Sequence, residues 1–369
     1  MRKGWEYKKL GEVCDVYQPK TLSTDMLSKD GEYPVYGANG IIGYYHQYNH
    51  EDKEVLLTCR GATCGNINVS KPYSWINGNA MVIHRKSEFI DFDFLKYMML
   101  SLDYSLIITG AAQPQITRQK LAPIKIAIPP KSTQLAIVSE LDKINELIRL
   151  KKEQLKDFDN LAQSLFYEMF GDPVENEKGW EVKKLGEIGE VKTGNTPSRS
   201  NDNFYNEKFI EWIKTDNIRN EQMNPTTAAE YLSRDGAECG RIVSKGSILV
   251  ACIAGSLSSI GKCCITTKNV AFNQQINAIT PYGDFCNSIY LYELIRNSYK
   301  YIQQNATTGM KHILSKSIFE KMKFPLPPLS LQRLFALRIE QIEREKSEVQ
   351  KSIQDLETLL ASRMQYWFE

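Results

Sequence analysis

The chain has 369 residues, 42% of them apolar and 24% charged, with 46 basic against 44 acidic side chains. That length exceeds one ordinary domain, and that apolar content supports packed cores rather than disorder. A net charge of +2 excludes a uniformly basic chain, and the lack of any run of about eighteen apolar residues, or of an apolar core after Met1-Arg2-Lys3, excludes a membrane span or secretion signal and predicts a cytoplasmic protein.

Residues 1–131 are rich in Gly, Pro, Asn, Tyr and β-branched residues, with short runs such as Glu54-Val55-Leu56-Leu57-Thr58 between turn signals. This pattern predicts a compact, mainly β domain with a few helices, one of them at 93–102. Pro129-Pro130 stops that domain, and Ser132 stands where the N-cap of a helix would. Across residues 132–172, Val138, Leu141, Ile144, Ile148, Leu155, Phe158 and Leu165 recur at spacings of three and four. Residues 173–328 return to the β-rich composition, with Ser247-Ile248-Leu249-Val250-Ala251 and a helix expected at 289–297. Pro327-Pro328 and Ser330 then open a second long helix over 329–369, striped by Ile339, Ile342, Val349, Ile353 and Leu356.

Neither helix contains Pro or Gly over about 36 residues, so each spans ~50 Å. A helix with one apolar stripe needs a partner, and the nearest is the other helix. An intramolecular, antiparallel coiled coil follows as the expectation, because that pairing puts one β domain at each end. Lys151 and Lys346 fall in the two seams. They either limit register slippage or snorkel out of the seam.

The chain is written twice. Gly4-Trp5-Glu6-Tyr7-Lys8-Lys9-Leu10-Gly11-Glu12 returns as Gly179-Trp180-Glu181-Val182-Lys183-Lys184-Leu185-Gly186-Glu187, and Ile128-Pro129-Pro130 with Gln134 returns as Leu326-Pro327-Pro328 with Gln332. The offset between copies grows from 175 to 198 and stays at 198 from Thr109/Thr307 to Phe170/Phe368. The added length falls mostly between Thr21 and Lys53 in the first copy and between Thr196 and Lys245 in the second. Fixed ends with variable middles imply a common frame carrying two different surfaces.

Signatures of catalysis are missing. The segment Gly255-Ser256-Leu257-Ser258-Ser259-Ile260-Gly261-Lys262-Cys263 has the wrong glycine spacing for a phosphate loop, and Cys263 replaces the residue that would hold magnesium. Gly37-Ala38-Asn39-Gly40 reads as turn chemistry. His46 and His50 stand at i, i+4 with no neighbouring cysteine, which makes a poor metal site. The eight cysteines include no Cys-x-x-Cys pair and read as reduced thiols packed as small apolar groups.

Charge distribution says more than net charge. From Tyr104 to Ser139 the only charges are Arg118, Lys120, Lys125 and Lys131; from Leu294 to Phe319 they are Arg296, Lys300, Lys311 and Lys316. Both acid-free stretches contain the matched segment 109–120 and 307–316, which offers Gln113, Gln115, Thr117 and Arg118 in one copy and Lys311, His312, Ser315 and Lys316 in the other. Amides, hydroxyls and cations mixed in this way suit phosphates and base edges, and a solvated surface loop is the competing explanation.

Two variable domains, each opening with Gly-Trp-x-x-Lys-Lys-Leu-Gly-Glu and closing with Pro-Pro-x-x-x-Gln before a long helix, resemble the specificity subunit of type I restriction–modification enzymes. Thr193-Gly194-Asn195-Thr196-Pro197-Ser198, Ile210-Glu211-Trp212-Ile213, Tyr33-Pro34-Val35-Tyr36-Gly37-Ala38-Asn39-Gly40 and Phe170-Gly171-Asp172 carry the same likeness, which covers the whole chain. The resemblance implies an α+β fold: two mainly β target recognition domains joined by two long antiparallel helices, with a pseudo-two-fold internal repeat. It implies that each domain reads one half of a bipartite, asymmetric double-stranded DNA site. The helices would set the gap between half-sites and dock two modification methyltransferase (M) subunits and a restriction/translocase (R) subunit. S-adenosylmethionine, ATP and Mg would sit on those partners, and this chain would hold no cofactor, metal or catalytic residue of its own.

The DNA-contacting candidates in the first domain are Asn39, Arg60, Thr63, Asn66, Gln113, Gln115, Arg118 and Lys120. In the second they are Ser198, Arg199, Lys214, Ser256, Ser258, Lys262, Lys311, His312 and Lys316. Asn39, Thr63 and Asn66 can equally serve to shape their turns. Two alternatives remain: a coiled-coil scaffold without DNA affinity, and a remnant of a fused enzyme, which would need a methyltransferase signature that the chain lacks.

Overall fold

A computed structural model describes all residues except Met1, Lys3, Ala111, Asn220, Glu221 and Thr308. The chain divides into two compact units: Met1–Lys152 with Lys351–Glu369, and Glu153–Gln350. Each unit therefore combines one β-rich domain with parts of both long helices.

In the first unit a four-stranded antiparallel sheet runs in the order Cys14–Tyr17, Ala80–Arg85, Val55–Thr58, Ile67–Val69. Alternation decides its two faces. Val55, Leu57, Met81 and Ile83 enter the main core, whereas Leu56, Ala80 and Val82 meet Tyr36 and Ile76 in a second cluster. That second face is covered by a small sheet of Gly40–Tyr45, Tyr33–Gly37 and Trp75–Ile76. The main core is closed by the helix Phe92–Ser101, whose Asp91 N-cap accepts from the Asp93 and Phe94 amides.

The second unit repeats the plan. Its sheet orders Gly189–Thr193, Ile276–Pro281, Ile248–Ala251 and Cys263–Ile265, and its closing helix is Ser288–Asn297, capped by Asn287. The extra length between 196 and 245 builds a larger second sheet of Tyr231–Leu232, Ile210–Ile213, Val270–Phe272 and Ile242–Val243.

The long helices are Lys131–Phe170 and Leu329–Phe368, 40 residues each. They begin directly after Pro130 and Pro328, so Ser132 and Ser330 lie inside the first turn rather than at the N-cap. Within the first unit, Arg363 Nη2 lies 3.1 Å from Glu140 and Lys152 lies 2.8 Å from Glu357. Within the second, Lys346 lies 3.0 Å from Asp159, and the Phe335 ring lies 5.1 Å from Phe170. Numbers rise along one helix as they fall along the other, so the pairing is antiparallel. Leu141, Ile144, Ile148, Ile339, Ile342, Val349 and Ile353 are buried, and Leu155, Phe158 and Leu356 are half-buried.

Lys346 does not snorkel out. It is 5% exposed and bonded to both Asp159 and Glu343. Burial opposes its charge, but these bonds outweigh burial and hold the ammonium above the ordinary lysine range. Lys151 is half-buried.

The closing motif Pro-Pro-x-x-x-Gln also has a physical explanation. Gln134 and Gln332 are both fully buried. Gln134 Oε1 accepts from the Asp91 amide while its Nε2 donates to the Phe89 and Pro129 carbonyls. Gln332 repeats the three bonds with the Asn287 amide and the Phe285 and Pro327 carbonyls. One glutamine thus ties the start of each long helix to the cap of the helix closing its domain. The far ends cross over: Phe170 packs 4.9 Å from Tyr290 in the second unit, and Phe368 packs 5.5 Å from Phe94 in the first.

All eight cysteines are free; six are buried, Cys64 is half-buried and Cys239 is exposed. Burial pushes the Cys14 thiol up to about 12. Among the described residues no helix is long and apolar enough to cross a membrane. Replacing Gln332 by Leu strands an amide and two carbonyls in the core and is expected to destabilise the second unit by about 2–4 kcal/mol. A denaturant midpoint unchanged from the parent chain would show that this glutamine does not lock the helix.

Candidate nucleic-acid interface

In the first unit the site is built where the central strand Val55–Thr58 leaves the sheet. The loop that follows is fastened to the acid-free segment by backbone bridges from Arg60 and Thr109 to Gln115. Gly61 donates to the Pro114 carbonyl at 3.0 Å, and Ile116 donates to Cys59 at 3.0 Å. The return turn needs glycine: Gly110 has φ +89°, and a Cβ there would lie 2.4 Å from the Gln113 carbonyl oxygen. From the other side, Thr58 Oγ1 and Asn68 Nδ2 both donate to the Ala38 carbonyl and hold the turn bearing Asn39.

This fastening brings Arg60, Gln113 and Gln115 onto two bridged loops at one end of the sheet. Asn39, Thr63 and Asn66 line an adjoining cleft of about 420 Å³ with Asn68 and Tyr104. Arg118 and Lys120 follow on the short helix Arg118–Leu121 and are exposed. Among the described residues no carboxylate lies within ion-pair distance of Arg60, Arg118 or Lys120. Cations left unpaired beside exposed amides form a surface that attracts polyanions and offers paired donors and acceptors.

The second unit builds the same frame with other side chains. Ile253–Ala254 pairs with His312–Ile313, Thr307 bridges to Ile313, and Leu314 donates to Cys252 at 2.8 Å. Ser256 and Ser258 share a hydrogen bond of 2.7 Å in the loop after Ile253–Ala254, which Gln303 holds through the Leu257 carbonyl. Lys262 lines a cleft of about 430 Å³ with Thr215, Asp216, Arg219, Ser259 and Gln275. Lys311 and His312 lie on the bridged segment. Lys316 lies just beyond it and pairs with Glu320 at 3.2 Å.

Ser198, Arg199 and Lys214 belong to a different cluster. Arg199 stacks 4.4 Å from the Tyr205 ring and 4.7 Å from Trp212, Lys214 lies 4.9 Å over Trp212, and both cations bond to Glu230. Ser198 shares a 2.8 Å bond with Ser200. Arg219, Asp216, Gln275 and Asn68 were not legible as site residues. For Asp216 and Arg219 the only signal is the turn Thr215-Asp216-Asn217 after the strand Ile210–Ile213, which gives no hint of the cleft it meets, and Gln275 and Asn68 carry no signal at all. The ring nitrogens of His50 bond to Tyr17 and Asn49, and among the described residues no three His, Cys, Asp or Glu side chains converge.

The bonds from Lys214 and Arg199 hold the Glu230 carboxyl below its ordinary range against the opposing effect of burial. A lowered folded pKa contributes stability above the unfolded value and loses it as pH falls through the folded one. Acidification below the usual glutamate range is therefore expected to release both cations and change Trp212 fluorescence. Glu230→Gln should lack that transition; an identical acid titration in the variant would refute the assignment.

Comparison with known proteins follows the same lines. A model of the type I restriction modification DNA specificity domain matches residues 2–157 and 177–358. A HindI specificity subunit from Haemophilus influenzae is 31% identical over 44% of this chain and 35% of its own length. The EcoprrI specificity subunit of Escherichia coli is 26% identical over 42% of this chain and 41% of its own. The chain thus spans well under half of these relatives. A third, the MjaVIII specificity subunit of Methanocaldococcus jannaschii, aligns at 20% identity over 96% of this chain and 92% of its own. A crystal structure of an S subunit from M. genitalium superposes with a TM-score of 0.60 at 14% identity, covering 99% of this chain and 96% of that one. A structure from a study of complex assembly and conformational transition of a type I R-M system gives 0.63 at 19% identity, covering 99% and 97%. At such identities the likeness shows the shared fold.

Proposed function

Because the chain belongs to the type I restriction–modification DNA specificity family, we propose that it recognises a bipartite, asymmetric double-stranded DNA site, one half per unit, and performs no chemistry itself. The observation that carries this reading is one backbone frame built twice with different side chains at its loops. The bridges Thr109–Gln115 and Thr307–Ile313 are equivalent, yet the first frame presents Arg60 and Gln115 where the second presents Ile253 and Ile313. Two unlike readers on one frame suit two unlike half-sites.

Recognition then divides into two physical parts. Exposed Arg60, Arg118, Lys120 and Lys311, with half-buried Lys262, neutralise phosphates and give salt-dependent affinity without sequence preference. Amides such as Gln113, Gln115, Asn39 and Asn66 reach base edges, each good bidentate contact discriminating by ~1–3 kcal/mol. Each long helix passes unbroken from one unit into the other. The proposal gives the paired helices the role of setting the gap between half-sites.

The proposed partners are methyltransferase subunits carrying S-adenosylmethionine and a restriction subunit carrying ATP and Mg. Two methyltransferases fit the repeat: Leu161 and Leu359 occupy equivalent positions on the two helices and stay 51% and 46% exposed. The competing scaffold reading has no role for cations left without carboxylates beside exposed amides.

With its partner methyltransferase, the chain should protect a split sequence in a footprint; even protection of random DNA would overturn the reading. Arg118→Ala is expected to weaken binding to every sequence alike and reduce the salt slope by about 1. An unchanged slope would remove Arg118 from the phosphate contacts. Deleting seven residues from both helices shortens each by ~10 Å, or about three base pairs. Methylome sequencing should then report a correspondingly shorter spacer, and a constant spacer would sink the ruler.

A further inference from the structure

The two frames differ in one chemical respect that charge alone does not describe. At the tip of the bridged loop the first unit places Ala112 and Gln113, whereas the second places Met310 and Lys311 at the equivalent positions. Met310 is 100% exposed, Ile313 at the base of the loop is 39% exposed, and Leu257 on the neighbouring loop is 37% exposed. Ile313 is held by backbone pairing to both Ile253 and Thr307, so the loop that carries Met310 stands on a bridged base. Covering a fully exposed thioether with an apolar group removes its surface from water and is favourable.

The surroundings identify the cover. Lys311 adjoins Met310 in the chain, and among the described residues it is not within ion-pair distance of a carboxylate. A surface that is cationic at its rim and apolar at its tip fits a duplex, whose major groove offers one apolar group, the 5-methyl of thymine. An apolar protein partner would leave Lys311 desolvated without counter-charge.

We propose that Met310 and Ile313 make the second unit a reader of thymine through its 5-methyl group, in contrast to the amide-bearing frame of the first. This rests on the reading that the unit docks on double-stranded DNA. It makes the two half-sites chemically unlike: amides select adenine edges in one, and apolar contact selects a methyl in the other.

The test uses the full chain with its partner methyltransferase and duplexes carrying the recognised site. Each thymine is replaced in turn by deoxyuridine, which removes the methyl group alone. One replacement should weaken parent-chain binding about four-fold, the equivalent of one buried methyl group. Met310→Ala should bind the thymine duplex more weakly by a similar factor and be indifferent to that replacement, while Met310→Leu should retain the discrimination.

Silence of every replacement in the parent chain overturns the proposal, as does undiminished methyl sensitivity in Met310→Ala. If Met310→Ala abolishes the unstacking of a 2-aminopurine probe without any methyl dependence, Met310 is a base-step wedge and the proposal fails. If it lowers only assembly with the methyltransferase, the tip is a protein contact and the proposal fails likewise. A parent chain that protects no defined sequence would instead refute DNA recognition itself.

Discussion

The whole arrangement depends on burying one apolar stripe per long helix. A 40-residue helix striped on one side cannot stand alone in water, and each fully buried Ile or Leu stabilises by about 1.5–3 kcal/mol. The two stripes satisfy each other, and their ends are taken up by both domains: Phe170 packs under Tyr290 and Phe368 beside Phe94. Neither half of the chain completes its own core. The division into units therefore cuts through both helices rather than between the sequence repeats.

Within each unit, a few buried polar groups convert general apolar burial into a defined geometry. Gln134 and Gln332 each fix three backbone groups that would otherwise be unsatisfied in the core. Lys346, held between Asp159 and Glu343, adds a charged pin that an apolar seam lacks. With the frame so constrained, the loops at the sheet ends are free to differ in composition and in length.

Electrostatics sorts the cations into two groups. Arg199, Lys214, Arg296 and Lys346 are held by Glu230, Glu293 and Asp159 and stabilise the fold. Arg60, Arg118, Lys120, Lys262 and Lys311 have no such partner among the described residues and lie on or beside the two bridged frames. A net charge of only +2 does not prevent a local surface such as that of Arg118 and Lys120 from carrying positive potential.

The amino-acid sequence by itself determined the duplication, the two β-rich domains, the paired helices and their antiparallel sense. The duplication, the domains and the helices follow from periodicity and from matched motifs at constant offset, which are local properties that survive without coordinates, whereas the antiparallel sense followed from where each domain must attach. It also singled out the segments 109–120 and 307–316 as candidates, because a lack of acidic residues can be read along a chain. Tertiary structure alone decided which candidates stand together. Arg199 and Lys214 look like any other cations in sequence, yet Glu230, sixteen residues beyond Lys214, captures both. Arg219 and Gln275 meet across a cleft, although more than fifty residues separate them. Pairing between distant loops depends on strand register and on the packing of the sheets beneath them, and neither is encoded within the few residues that form the site.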